Sequence, residues 1–141
     1  MPESSASITL KSDLSELGEL RKRLRVFLRT LPDEIERNRI VLAVDEAVAN
    51  IIIHGYGESG TTGEINIEML RDAGEIVIIL SDNAPPFNPL DHTGDDADEH
   101  AASMKAGGLG IHSYLKLMSA RYSRDENGVN RLILSRRDTG C

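Results

Sequence analysis

The chain has 141 residues, of which 40% are hydrophobic and 4% aromatic, with no tryptophan, and sixteen basic against twenty-three acidic residues leave a net charge of −7. That balance argues against a nucleic-acid or anionic-membrane surface, because both require clustered Lys and Arg to displace counterions. The length suits a single domain, residues 1–141, with a core of mainly Ile, Leu, Val and Ala, and one cysteine, Cys141, excludes a disulfide framework or a cysteine-built metal site within this chain.

The opening MPESSAS lacks the basic and apolar regions of a signal peptide, and no apolar run approaches the ~20 residues that span a bilayer. A cytoplasmic setting is expected. SASITLK then places Ala6, Ile8 and Leu10 on one side of a half-buried strand. Ser12 or Asp13 offers an N-cap, and Leu14, Leu17, Leu20, Leu24, Phe27, Leu28 and Leu31 repeat at helical spacing until Pro32. Arg21, Arg23, Arg25 and Arg29 occupy its polar positions, a solvated face by default and a contact surface otherwise.

Asp33 can cap a second helix running to about His54 and ending at Gly55 and Gly57. Ile40, Val44, Ala47, Val48, Ile51 and Ile52 form its apolar arc. Beside that arc, Glu46, Asn50 and His54 follow at steps of four, which at ~100° per residue confines them to ~80°. Such a stripe commonly just faces water. The functional alternative makes Glu46 a base and gives the Asn50 carbonyl oxygen to Mg²⁺, a hard cation that takes few ligands from protein. His54 would reach a phosphate or pack locally.

GEINIEML and EIVIILSD read as a hairpin around Asp72, Ala73 and Gly74. Asp82 ends the second strand, ahead of the stiff Asn83-Ala84-Pro85-Pro86-Phe87 turn, where a carboxylate can accept a hydrogen bond from an adenine amino group or simply open a solvated turn. The following stretch to Gly108 is long, rich in Pro, Gly and Asp, and aperiodic, as lids and binding loops are. Asp91, His92, Asp95, Asp96, Asp98, Glu99 and His100 make it acidic without the EF-hand pattern.

Gly55-Tyr56-Gly57-Glu58-Ser59-Gly60 satisfies G-x-G-x-x-G literally but follows a helix and precedes a strand, the reverse of a dinucleotide fingerprint, and reads as a turn. Gly107-Gly108-Leu109-Gly110 stands directly before a helix that includes Ile111, Tyr114, Leu115, Leu117 and Met118, where backbone N–H groups suit a phosphate or glycines merely let the chain turn. ARYSRDENGVNRLILS closes the chain as two strands around Asn127-Gly128. Strands at the start, middle and end, with three helices between, describe an α+β two-layer sandwich: a mixed or antiparallel sheet covered on one face by helices.

Three of these stretches, in this order and spacing, resemble the anti-sigma-factor serine/threonine kinases of the GHKL, or Bergerat-fold, histidine-kinase-like ATPases. The N-box of that family is matched by Glu46-x-x-x-Asn50-x-x-x-His54-Gly55-Tyr56, its first glycine box by the segment from Asp82 to Pro89, and its second by Gly107-Gly108-Leu109-Gly110-Ile111. The resemblance implies an ATP-binding domain with a flexible lid over about residues 88–108. Asp82 would hold the adenine amino group, with Ala84, Pro86, Phe87 and His54 nearby in the site. Asn50 would coordinate Mg²⁺, and Lys105, Gly107, Gly108, Leu109 and Gly110 would close over the phosphates.

It further implies that Glu46 takes the proton from a serine on an anti-anti-sigma (STAS-domain) partner. The kinase would alternate between that partner and a sigma factor, as a family that also forms homodimers does, and so control transcription. Direct contact with nucleic acid or membrane is not expected. Two other readings remain open: a non-catalytic nucleotide-binding switch that sequesters its partner, and a histidine-kinase catalytic module served by a separate phosphoacceptor.

Overall fold

A computed structural model describes residues 4–88 and 117–137. Five strands form one fully antiparallel sheet in the order β1-β2-β3-β5-β4. They are β1 (Ser4–Lys11), β2 (Glu64–Asp72), β3 (Glu75–Asp82), β4 (Ser119–Arg124) and β5 (Asn130–Arg137). Alternation decides which face is covered: Ile65, Ile67 and Met69 of β2, Ile76, Ile78 and Leu80 of β3, and Leu132 and Leu134 of β5 are buried in one cluster with the helices. Of the expected apolar side of β1 only Leu10 is buried, while Ala6 stays exposed, because β1 is an edge strand.

The register aligns one residue from each strand. Leu10 pairs with Ile65, Ile65 with Asp82, Asp82 with Asn130, and Asn130 with Arg124. Directly paired residues share a face, so these five form one row across the whole sheet. The β2–β3 hairpin turns on two residues, Ala73 and Gly74, both at positive φ (51° and 76°), which is the type I′ geometry that matches strand twist.

Asp13 caps a short 3₁₀ turn, Leu14–Glu16, by accepting from the Ser15 amide at 2.9 Å, and α1 (Leu17–Phe27) follows. The helix stops short of Pro32. Leu28 and Leu31, expected within it, are buried from the turn beyond its end, and Leu14 stays 48% exposed. Arg21 bonds Asp45 of the next helix, Arg23 bonds Glu19, and Arg25 bonds Asn38, so three of the four arginines on this face have partners.

Asp33 caps α2 (Glu34–Asn50) through the amides of Ile35 and Glu36. The expected apolar arc is the buried one: Ile40, Val44, Ala47, Val48, Ile51 and Ile52 all enter the core, joined by Val41 and Ala43. From Ile51 to Gly57 the helix widens to π geometry, with i→i+5 bonds from Glu58 to Ile53 and from Thr61 to Tyr56. The whole stretch Glu34–Gly57, 24 residues, is long and apolar enough to cross a membrane, contrary to the expectation that no segment is; 61% of its most apolar part is packed inside the protein as the core helix. At its far end Arg136 of β5 donates to both carboxylate oxygens of the buried Glu36 and to the Leu117 carbonyl.

Candidate functional site

The alternation of β3 points Asp82 to the helix-covered face along with Ile76, Ile78 and Leu80. The carboxylate is 7% exposed. Its Oδ1 accepts from the Ala84 amide and from Nδ2 of Asn130, both at 2.9 Å, and among the described residues no hydrogen bond reaches Oδ2. Burial pushes this carboxyl above its ordinary value of 3.8, while the Asn130 bond, the Ala84 amide and the Arg124 charge pull it back toward ionisation. Asp82 is thus a desolvated carboxylate with one oxygen used and one left over.

The end of the long helix meets the turn after Asp82 at three points. Gly55 lies so close to it that a Cβ would stand 3.3 Å from the Ala84 methyl. Tyr56, 3% exposed, donates its hydroxyl to the Glu64 carbonyl at 2.8 Å and accepts from the Asn83 amide at 3.2 Å. Its ring lies over Gly63, where a Cβ would come within 2.7 Å of Cε1; only glycine admits the phenol there. His54 stacks on Phe87 with ring centroids 5.4 Å apart and planes 23° from parallel, and its Nδ1 contacts Glu58. Local packing is what the imidazole does here.

Glu46 and Asn50 lie within the regular α-helix, four residues or ~6 Å apart along its axis. Glu46 is half-buried. Asn50 is 8% exposed, and its side-chain nitrogen is buried without a hydrogen-bond partner among the described residues. Beyond Asn50 the helix continues in π turns, and His54 within them stacks on Phe87. The same turns make Gly55 and Gly57 helical, and the chain turns only at Glu58–Gly60.

A family model described as the histidine kinase-like ATPase domain matches residues 10–136. This chain belongs to that family. The serine-protein kinase RsbW of Staphylococcus aureus is 37% identical to the ATPase domain over 103 residues, which is 69% of this chain and 62% of that protein. This domain therefore spans somewhat under two thirds of the relative it matches. The RsbU and RsbW domains of Rv1364c from Mycobacterium tuberculosis share the fold at a TM-score of 0.64 and 23% identity, over 96% of this chain and 33% of that one. The SiaB–SiaC complex from Pseudomonas aeruginosa contains a chain that matches at a TM-score of 0.59 and 15% identity, covering 91% and 88%.

Within the ATPase domain, Glu46, Asn50, His54, Asp82, Ala84, Pro86 and Phe87 fall among the described residues. Lys105, Gly107, Gly108, Leu109 and Gly110, the expected lid and most of the third helix lie outside them. Among the described residues no three His, Cys, Asp or Glu side chains gather into a cage. The unpaired atom of Asn50 is Nδ2, a donor, which suits a ligand oxygen; a divalent cation would instead be met by the carbonyl oxygen of the same amide, a hard oxygen of the kind such ions take.

Sequence reasoning missed three residues. Asn130, Arg124 and Tyr122 close a hydrogen-bonded set around Asp82 and Ala84. A polar residue opening the apolar run Leu132-Ile133-Leu134 was the available signal, but its meaning depends on β5 lying next to β3, which hairpin patterns do not reveal.

Proposed function

We propose that this domain is an ATP-dependent serine/threonine protein kinase and anti-sigma factor, acting on a serine of an anti-anti-sigma STAS-domain partner. The observation that carries this reading is the Asp82 carboxylate: buried, turned to the helix side, with a single oxygen left to accept a hydrogen bond from an exocyclic amine. The adenine of ATP would lie against it, bounded by Ala84, Pro86, Phe87 and His54. Similarity to RsbW, a serine-protein kinase, supports the acceptor class.

Glu46 is assigned as the base. It takes the proton from the acceptor serine as the serine oxygen bonds the γ-phosphorus and the bond to the β-phosphate oxygen breaks, leaving ADP and phosphoserine. Asn50 would hold Mg²⁺, which would supply charge neutralisation at the phosphates in a chain whose acidic residues outnumber its basic ones. Lys105, Gly107, Gly108, Leu109 and Gly110 are the proposed phosphate-covering residues of a lid over about 88–108.

The proposed setting is cytoplasmic, without direct contact with nucleic acid or membrane. A sigma factor is the second partner of the switch and a homodimer its assembly. The test is transfer from γ-labelled ATP to a STAS-domain protein of the same genome, with phosphoserine located by mass spectrometry. Loss of transfer in Glu46→Gln with ATP binding intact supports the kinase. Tight ATP and partner binding without transfer in wild type would instead identify a sequestration switch.

A further inference from the structure

Asn130 is 4% exposed at the first position of an apolar strand, where an unpaired amide would be penalised. None of it is unpaired. Nδ2 donates to Asp82 Oδ1 and to the Ala84 carbonyl, each at 2.9 Å, while Oδ1 accepts from Nη1 of Arg124 at 2.9 Å and from the Tyr122 hydroxyl. The orientation of the amide is forced, because a carboxylate and a carbonyl only accept and a guanidinium only donates. Arg124 also donates to the Ala84 carbonyl at 3.0 Å.

The consequence falls on Asp82. Its Oδ1 is held from two sides, by strand β5 and by the Ala84 amide, so the carboxylate plane is fixed and Oδ2 is the oxygen presented to a ligand. The residue that fixes it is itself fixed from the sheet edge.

We propose that Asn130, braced by Arg124 and Tyr122, is a positioning residue that sets Asp82 to accept from a 6-amino purine and to reject a 6-oxo purine. This rests on the nucleotide reading above and adds to it the device that confers base selectivity. A purine carrying oxygen at that position would place acceptor against acceptor, and a carboxylate that cannot rotate has no way to relieve it. The titratable and charged groups that face Asp82 are Tyr56 from the helical end and Tyr122 and Arg124 from β4; burial pushes both phenols up, so Arg124 is the charged one at neutral pH.

The experiment is calorimetric titration of ATP and of inosine triphosphate, with Mg²⁺, into wild type, Asn130→Ala and Arg124→Gln over a series of pH values. Wild type should prefer ATP by about a hundredfold or more. Both variants should lose roughly tenfold or more in ATP affinity with little change for inosine triphosphate, so the ratio collapses. The pH below which ATP binding is lost should also move up, because a donor or a cation that favoured the carboxylate is gone.

Arg124 is an exposed residue of the edge strand, so its variant retains the fold even if Asn130→Ala does not. Equal weakening of both nucleotides, with the pH midpoint unmoved, would overturn the positioning role, as would equal binding of ATP and inosine triphosphate by wild type. Wild type that binds neither nucleotide would overturn the nucleotide reading itself. Wild type that selects ATP while both variants keep its ratio and midpoint would overturn this inference alone.

Discussion

The Asn83 amide donates to the hydroxyl of Tyr56 at 3.2 Å, joining the last helical turn to the residue that follows Asp82. The same hydroxyl donates to Glu64 at the start of β2. Tyr56→Phe removes both bonds at a buried position and should lower stability by about 1–2 kcal/mol. The reading is a lower urea midpoint at unchanged slope, together with weaker ATP binding as the Asp82 turn loses its tether.

Burial raises the Asp82 pKa in the fold above 3.8, so the native state holds this proton more tightly than the unfolded chain does. Its charge therefore opposes folding increasingly as pH rises from 3.8 through the raised native value, and the penalty is relieved on acidification. Asp82→Asn keeps an oxygen for Ala84 and Asn130 while deleting the charge. Without ligand it should melt roughly 2–4 °C higher at neutral pH, the shift that about 1 kcal/mol produces at this size. The gap should close as pH falls toward 3.8, and ATP binding should be abolished at every pH. A lower melting temperature at neutral pH would contradict this account.

Glu36 is 4% exposed and paired with Arg136 across 100 residues of sequence. Glu36→Ala leaves the guanidinium half-enclosed with the Leu117 carbonyl as its remaining partner, and should cost about 3 kcal/mol. Replacing both, Glu36→Leu with Arg136→Met, should recover most of that loss, since it removes the charge together with its partner. Chemical denaturation of wild type, Glu36→Leu, Arg136→Met and the double variant forms the cycle, and additive losses would show that the pair is not coupled.

Ala73 holds φ 51° in a two-residue turn where glycine or asparagine is the usual occupant. A Cβ in that region costs about 1–2 kcal/mol, part of which glycine returns to the unfolded chain as entropy. Ala73→Gly should therefore raise stability by about 0.5–1 kcal/mol with no effect on nucleotide binding. Thermal melts and ATP titrations on the same preparation check both halves.

What was legible in the sequence was local. The buried arc of α2, the Asp33 cap, the β2–β3 hairpin and the position of Asp82 at a strand end each follow from spacing within about 20 residues, and each is found. The end of α1 was misplaced because Leu28 and Leu31 keep a helical period while being buried from a turn. The π turns after Asn50 were not legible because nothing in IIIHGYG announces a change from i→i+4 to i→i+5 bonding. Asn130 and Arg136 were overlooked because their partners lie 48 and 100 residues away, and only the strand order brings them together.

The row Leu10–Ile65–Asp82–Asn130–Arg124 also bears on how the chain assembles without error. A slip of one residue between β3 and β5 would turn every side chain of one strand to the wrong face. A slip of two preserves the faces and still sets Leu80 against an apolar partner, Leu134. It would, however, bring Leu132 beside Asp82 in place of Asn130, burying a carboxylate deprived of its side-chain donor and its nearby cation. The same carboxylate that marks the site thus works as a registration pin: β5 can close on the sheet in one alignment at low cost, and misaligned hairpins are left free to dissociate and try again.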